Sequence, residues 1–455
     1  MTIMAKKQGS AEGLTTKIAE HFQAVNYEAV PPQAIRATKH LLFDTLVVAI
    51  AGRDEAAVVE GRDVILANGG TEESRLWGSQ VRVPAMSAAF VNGVAAAALD
   101  FDSVHEAGTV HSDIVVAPAV LALAEARGSS GKEVLTALAL GDDLASRLGM
   151  STREHSGWFY TSLHGGFAAA AASAKLIGLN AEGIRNAIGI MLSRTGGTQQ
   201  PAREKAQTKR LQSAFAAQDG VFAALLAEKG VAAPSAPLEG EFGLYSMYEA
   251  GDPDVVLNQL GQRFENIETT FKAYPSCACN HAVICAMLEI VKDQDLKAED
   301  VASIELVVTP YINRLVGAPF SPGSNPQVAA QFNMRYSVAA VLLNGQFGIN
   351  EIKPGVVLDP RAAELANHMS VVVDENRTGE FGPVKITITC QDSHKITVNA
   401  NTIPGRPDKP LTEAELITKG NMCLPGKNGA ALFAAISEME MHQSIEMLLD
   451  KIQLG

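Results

Sequence analysis

A large, mostly α domain carrying an inserted, smaller α+β domain is the fold class this sequence predicts, and three observations predict it. Apolar residues recur with helical spacing from about Leu14 to Phe264, β-branched and often alternating runs appear after Phe271, and helical spacing returns from Thr412. The 455 residues also exceed what one ordinary core holds.

Taken in order, residues 32–52, 85–99, 116–127, 131–148, 165–176 and 181–194 carry i, i+3/i+4 apolar spacing, most with glycine near an end, and read as helices joined by short loops. After Phe271 the pattern changes. Residues 303–309, 369–374, 384–390 and 394–400 read as strands, and the last two flank Gln391-Asp392-Ser393, a hairpin turn. Helices at 281–292 and 331–343 interleave with them. The proline-rich segment 404–410 reads as a stiff linker. The expected division is therefore an all-α domain from 14–265 plus 405–455, an α+β domain at 266–404, and a flexible leader at 1–13. No internal repeat is present.

The composition narrows the function classes. A net charge of −13 without a basic cluster argues against nucleic acid, though a few cations can still dominate a site for a small anion. No apolar run approaches the roughly 18–20 residues that span a bilayer, so no membrane partner is expected. The lysines near the N-terminus precede no apolar stretch of the signal-peptide kind, which makes a cytoplasmic location the default. Five cysteines give no disulfide framework. Cys277, Cys279, His281 and Cys285 form C-x-C-x-H-x3-C, which lacks the paired C-x2-C spacing of structural zinc sites, so no metal site is assigned.

Four clusters carry candidate chemistry. Asp100, Asp102, His105, His111 and Asp113 fall within fourteen residues directly behind the alanine-rich run 85–99. A tightly packed helix ending in ionisable groups can hold an active-site carboxylate, whereas an isolated D-x-D more simply begins a solvated loop. Tyr160, Thr161, Ser162 and His164 precede a second alanine-rich helix and could present hydroxyls and amides to a carboxylate; a packed tyrosine with a satisfied hydroxyl is the alternative. Lys205, Lys209 and Arg210 lead into a third small-residue helix, where solvated lysines are the alternative. Lys272 stands in Phe-Lys-Ala-Tyr-Pro-Ser276, where the helical pattern gives way to the mixed one, a position suited to facing a cleft.

These clusters, in this order, resemble the MmgE/PrpD family, the 2-methylcitrate dehydratase-like group that includes cis-aconitate decarboxylase and iminodisuccinate epimerase. The resemblance runs from about Leu14 to Leu448 and rests on Ala-Leu-Asp100-Phe-Asp with His111-Ser-Asp downstream, Gly157-Trp with Thr161, Lys209-Arg-Leu leading to Gln-Asp-Gly220, Phe-Lys272-Ala-Tyr-Pro with His281, and Phe332-Asn-Met-Arg-Tyr336. It implies a homodimer, no metal or organic cofactor, and chemistry at a carbon beside carboxylates of a small di- or tricarboxylate, in a cleft between the domains. Asp100, His111, Lys209, Lys272, His281 and Tyr336 keep the family's places.

Four polar positions depart from the family. Relatives commonly read D-F-x-D-T where this chain has Asp100-Phe-Asp102-Ser103-Val104, carry His where Phe159 stands, read K-x-x-H where Gln212 follows Lys209, and place Arg at Ala278. Dehydration needs an acid for a poor leaving group as well as a base, whereas epimerisation needs only proton removal and return across two faces. The departures therefore point first to a cofactor-independent epimerase of a dicarboxylate such as iminodisuccinate. Lys272 and Tyr160 are the expected two bases, brought down towards neutral pH by desolvation and nearby cations, with His111 and Asp100 orienting them. Lys209, His105, His164, Ser276, His281 and Tyr336 are the expected substrate-binding residues. A hydro-lyase or a decarboxylase-like lyase is the alternative, since His105 and His164 could replace the missing groups, and an inactive binding protein on the same scaffold is the third reading.

Overall fold

The computed structural model describes residues 13–452 except 153, 380, 425 and 427. Apart from Gly13, the leader expected at 1–13 lies outside the described residues. The chain forms two compact units: one takes the residues up to Ala98, Asp102–Thr270 and the residues from Leu416, and the other takes Leu99–Phe101 and Phe271–Glu415. The fold is mostly α with a smaller α+β region, as the sequence predicts.

The first unit is a stack of helices, three of which meet through faces rich in alanine and glycine. Helix Thr208–Glu228 packs on both Ala85–Ala97 and Tyr160–Leu176. A Cβ at Gly220 would lie 2.6 Å from the Ala169 Cβ, and one at Gly93 would lie 3.0 Å from the Ala214 Cα, so the backbones approach as closely as small residues allow. Such packing fixes helix ends with little freedom, which is what a site built at those ends requires. β1 (Ser74–Arg75) and β2 (Arg82–Val83) form a small antiparallel ladder in this unit. The C-terminal segment joins this unit through the buried Lys419–Asp44 ion pair, with Nζ 2.6 Å from Oδ1.

Helix Asp113–Arg127 begins on a buried carboxyl network. Asp113 and Asp142 are both fully buried, and burial is the first cause that raises both, Asp113 to about 6 and Asp142 well above the usual carboxylate range. The two carboxyls shift each other, the Asp113 charge adding to burial in raising Asp142. Unfolded, both groups titrate near ~3.9, so above that pH the fold binds more protons than the unfolded chain and loses stability as pH rises through about 6. Asp142→Asn keeps the side-chain shape without the titration. Its Tm should accordingly fall less than the wild-type Tm between pH 5 and pH 8; an equal or steeper fall in thermal melts would remove Asp142 as the source.

In the second unit a four-stranded sheet has the order β4-β3-β5-β6, with β3 (Val301–Val308), β4 (Met369–Val373), β5 (Val384–Cys390) and β6 (Lys395–Ala400). β3 runs parallel to β4 and antiparallel to β5, and β5–β6 is the hairpin read from the sequence, its turn carrying Ser393 at φ 68. Val384, Ile386 and Ile388 point inward from β5, and helix His281–Gln294 packs on β5 and β6. Helix Met334–Asn344 packs on that helix.

Candidate active site

In the helical unit the loop after Ala85–Ala97 folds back on itself. His105 and Val110 pair across a tight turn, with His105 N donating to Val110 O at 2.8 Å, and Thr109 takes a left-handed φ of 52 to close it. That turn delivers His111, whose backbone N–H donates to Thr161 Oγ1 at 3.1 Å. Its ring Nδ1 lies 2.6 Å from Asp102 Oδ2 and 2.8 Å from Ser103 O. Both neighbours are acceptors, so Nδ1 carries the proton. Nε2 is the nitrogen left to exchange protons, on a ring about one-fifth exposed against an Asp102 carboxylate only 3% exposed. An acid–base group held by a buried carboxylate in this way is oriented and, when protonated, stabilised.

Asp102 was visible in the sequence as part of the acidic cluster but was not among the site residues expected above. Its signal is D-x-D before a histidine, and alternation alone cannot tell which acid meets which base. Thr161 is the second such residue. Helix Tyr160–Leu176 begins five residues before the expected 165. Tyr160 to His164 are therefore buried inside its first turns rather than displayed ahead of it.

The structure reverses the direction expected for Tyr160 and sets the charge of His164 and His105. Tyr160 does not shift downward: burial first, and the Glu249 carboxylate with it, push its hydroxyl up to about 12. The hydroxyl accepts from His155 N at 3.2 Å, and the His155 ring stacks on the tyrosine at 4.7 Å. Tyr160 is thus not a base near neutral pH. His164 is fully buried, with Nε2 3.2 Å from Thr152 Oγ1, and burial holds it neutral at about 3. His105 accepts from Gly108 N at 3.0 Å, and burial, aided by Arg263, lowers it to about 4. Burial favours the neutral form of both imidazoles. Tyr160→Phe should cost about 1 kcal/mol of stability, the worth of one hydrogen bond, and change kcat less than about tenfold. A loss of several orders of magnitude in a steady-state assay would return Tyr160 to the chemistry.

Lys209 is half-buried in the first turn of Thr208–Glu228, and the adjacent Arg210 donates through Nε to Ala98 O at 2.6 Å. A cavity of about 340 Å³ in this unit is lined by Ser162, Met191, Arg194, Gln212 and Phe215 among others. His111 is not in its lining.

The second unit contains Lys272 and Asp100. Lys272 is 2% exposed; its Nζ donates to the Asp100 carbonyl at 2.8 Å and stands 3.4 Å from Asp100 Oδ2. Asp100 adopts φ 52, a left-handed conformation that aspartate tolerates and that a pinned helix exit imposes. Gln331 donates to the neighbouring Leu99 O. His281 is buried with Nε2 3.3 Å from Ser276 O, and its ring meets Tyr274 edge-on. Ser276 is fully buried. Tyr336 is buried too, with its hydroxyl donated to Glu351 O and its pKa raised by burial. Among the described residues no group of three or more His, Cys, Asp or Glu side chains has a metal-holding arrangement.

The helical unit thus carries a histidine–aspartate pair, and the α+β unit carries a buried lysine–aspartate pair. The MmgE/PrpD N-terminal domain model matches residues 16–255, and the MmgE/PrpD C-terminal domain model matches residues 274–442. The chain belongs to the MmgE/PrpD family. It is 25% identical to a cis-aconitate decarboxylase-like protein of Aspergillus oryzae, over 91% of this chain and 92% of that one. It is 26% identical to the cis-aconitate decarboxylase of Homo sapiens, over 90% and 87%, and 27% identical to that of Mus musculus, over 85% and 81%. No helix among the described residues is long and apolar enough to cross a membrane.

Proposed function

We propose that this protein is a lyase acting on a small di- or tricarboxylate, breaking a bond at a carbon beside a carboxylate with His111 as the proton-transfer group. The observation that carries the reading is the 2.6 Å contact between His111 Nδ1 and the buried Asp102 carboxylate. When carbon dioxide leaves such a substrate, the electron pair stays on carbon and spreads into the neighbouring carboxylate. A proton must then reach that carbon, and imidazolium Nε2 of His111 gives it. When water leaves instead, neutral His111 takes the carbon-bound proton, the C–O bond breaks, and the leaving hydroxyl takes up a proton to depart as water. Lys272 and Lys209 supply positive charge for the substrate carboxylates and for the enolate-like charge.

The names of the relatives support this lyase reading over the epimerase expected from the sequence. The high pKa of Tyr160 weighs the same way, because the two-base pair loses one member. The substrate remains to be chosen within the class, since Phe159, Gln212 and Ala278 stand where relatives commonly carry ionisable groups. Homodimeric assembly and a cytoplasmic location belong to the same proposal.

The test is to incubate the protein with cis-aconitate, 2-methylcitrate and iminodisuccinate in D2O and follow each by NMR. Release of carbon dioxide, or of water to give an alkene, supports the lyase. Deuterium uptake with inversion and no bond cleavage transfers the reading to the epimerase. Binding without turnover transfers it to the inactive scaffold.

A further inference from the structure

His105 is only 1% exposed, yet its ring makes one specific bond. Nδ1 accepts the Gly108 N–H at 3.0 Å, so the ring's proton sits on Nε2, which meets no hydrogen-bond partner among the described residues. The Nδ1 bond is the contact through which the side chain acts. Three backbone bonds shape the same turn: His105 N to Val110 O at 2.8 Å, Val110 N to His105 O at 3.3 Å, and Thr109 N to Glu106 O at 3.0 Å. None of them serves the buried Gly108, whose N–H has the imidazole as its acceptor.

The turn has little slack. A Cβ on Gly108 would lie 2.8 Å from Ser146 O, and one on Gly149 would lie 2.3 Å from Gly108 O and 2.6 Å from Val110 Cγ2. The turn therefore presses backbone to backbone on helix Gly131–Ser151. At its exit, His111 N is fixed to Thr161 Oγ1 in a buried first helical turn. Between these two supports an error in the turn passes to the His111 ring and to its 2.6 Å contact with Asp102.

We propose that His105 is a positioning residue for His111: its ring, a fixed hydrogen-bond acceptor for Gly108, builds the turn that sets the place of the His111 imidazole. The inference rests on the reading of His111 as the proton-transfer group. Burial, aided by the Arg263 charge, keeps the His105 ring in the neutral form that can accept, since an imidazolium carries a proton on both nitrogens. Asparagine places Oδ1 where histidine has Nδ1, and such short side chains readily take a nearby backbone N–H. Leucine fills similar space but accepts nothing. It leaves the buried Gly108 N–H without a partner, and the turn must rearrange to satisfy it. A shift of about 1 Å in a reacting group costs on the order of 100-fold in rate.

The experiment compares His105→Leu with His105→Asn in the full-length protein, reading kcat and KM on the substrate that the D2O experiment identifies. The His111 imidazole N–H resonance is followed alongside in protein labelled with 15N-histidine, and is recognised by its loss in His111→Gln. His105→Leu should lower kcat by about 10–100-fold, change KM less than about threefold, and move the resonance. His105→Asn should keep the resonance in place and hold kcat within about threefold of wild type. In the His111→Gln background His105→Leu should slow turnover no further. Where His105→Leu does not fold, His105→Gln, whose amide reaches the place of Nε2 instead, carries the same expectations. A wild-type kcat with an unmoved resonance in His105→Leu, an asparagine variant as slow as the leucine one, or a further loss in the His111→Gln background would each overturn the proposal. A wild-type rate in His111→Gln would instead end the reading of His111 as the proton-transfer group, and the resonance would still decide whether His105 sets its place.

Discussion

Replacing His111 with Gln should lower kcat by about 10²–10⁴-fold, the range that a positioned acid–base group supplies, while KM changes little. Glutamine can keep a hydrogen bond towards Asp102 but cannot move a proton. Asp102→Asn should also lower kcat, because the asparagine no longer stabilises the imidazolium and can turn an N–H against Nδ1. The two side chains meet at 2.6 Å, so they act as a unit. The double variant should therefore be no slower than His111→Gln alone. The decisive measurement is this cycle in steady-state turnover of whichever substrate the NMR experiment identifies. Two losses that multiply would mean that Asp102 acts independently of His111. A near wild-type rate for His111→Gln would move the proton transfer elsewhere.

The helices were legible because their spacing and the glycines beside them state both period and ends. Residues 32–52 and 384–390 match the observed elements at both boundaries. The start of helix Tyr160–Leu176 was less legible. Glycines 165 and 166 look like a boundary, yet here they lie inside the helix, where Cβ atoms would strike Val115 and Met191 at 2.9 and 2.6 Å. Glycine signals an end and a close approach alike, and only the packed neighbour tells which. The same limit applies to Tyr160, whose raised pKa depends on burial and on Glu249, a residue far along the chain. His105 and His164 illustrate it again: a histidine beside a catalytic loop reads as available, but depth of burial decides its charge. Asp102 shows the opposite case, a residue in plain view whose partner could be assigned only once the turn from His105 to Val110 was folded.

Lys272 carries the other large effect. Both it and Asp100 are buried, at 2% and 5% exposure, so removing one charge leaves the other without its counterion. Lys272→Met, which keeps most of the side-chain volume, should destabilise the protein by about 3–5 kcal/mol in urea unfolding. Asp100→Asn combined with Lys272→Met removes the orphaned carboxylate and should recover most of that loss. Turnover separates this structural role from a chemical one. If the ammonium neutralises a substrate carboxylate, the stabilised double variant stays inactive despite its restored fold, because stability returns and the cation does not. Recovery of kcat together with stability in the double variant would show that Lys272 serves only to balance Asp100.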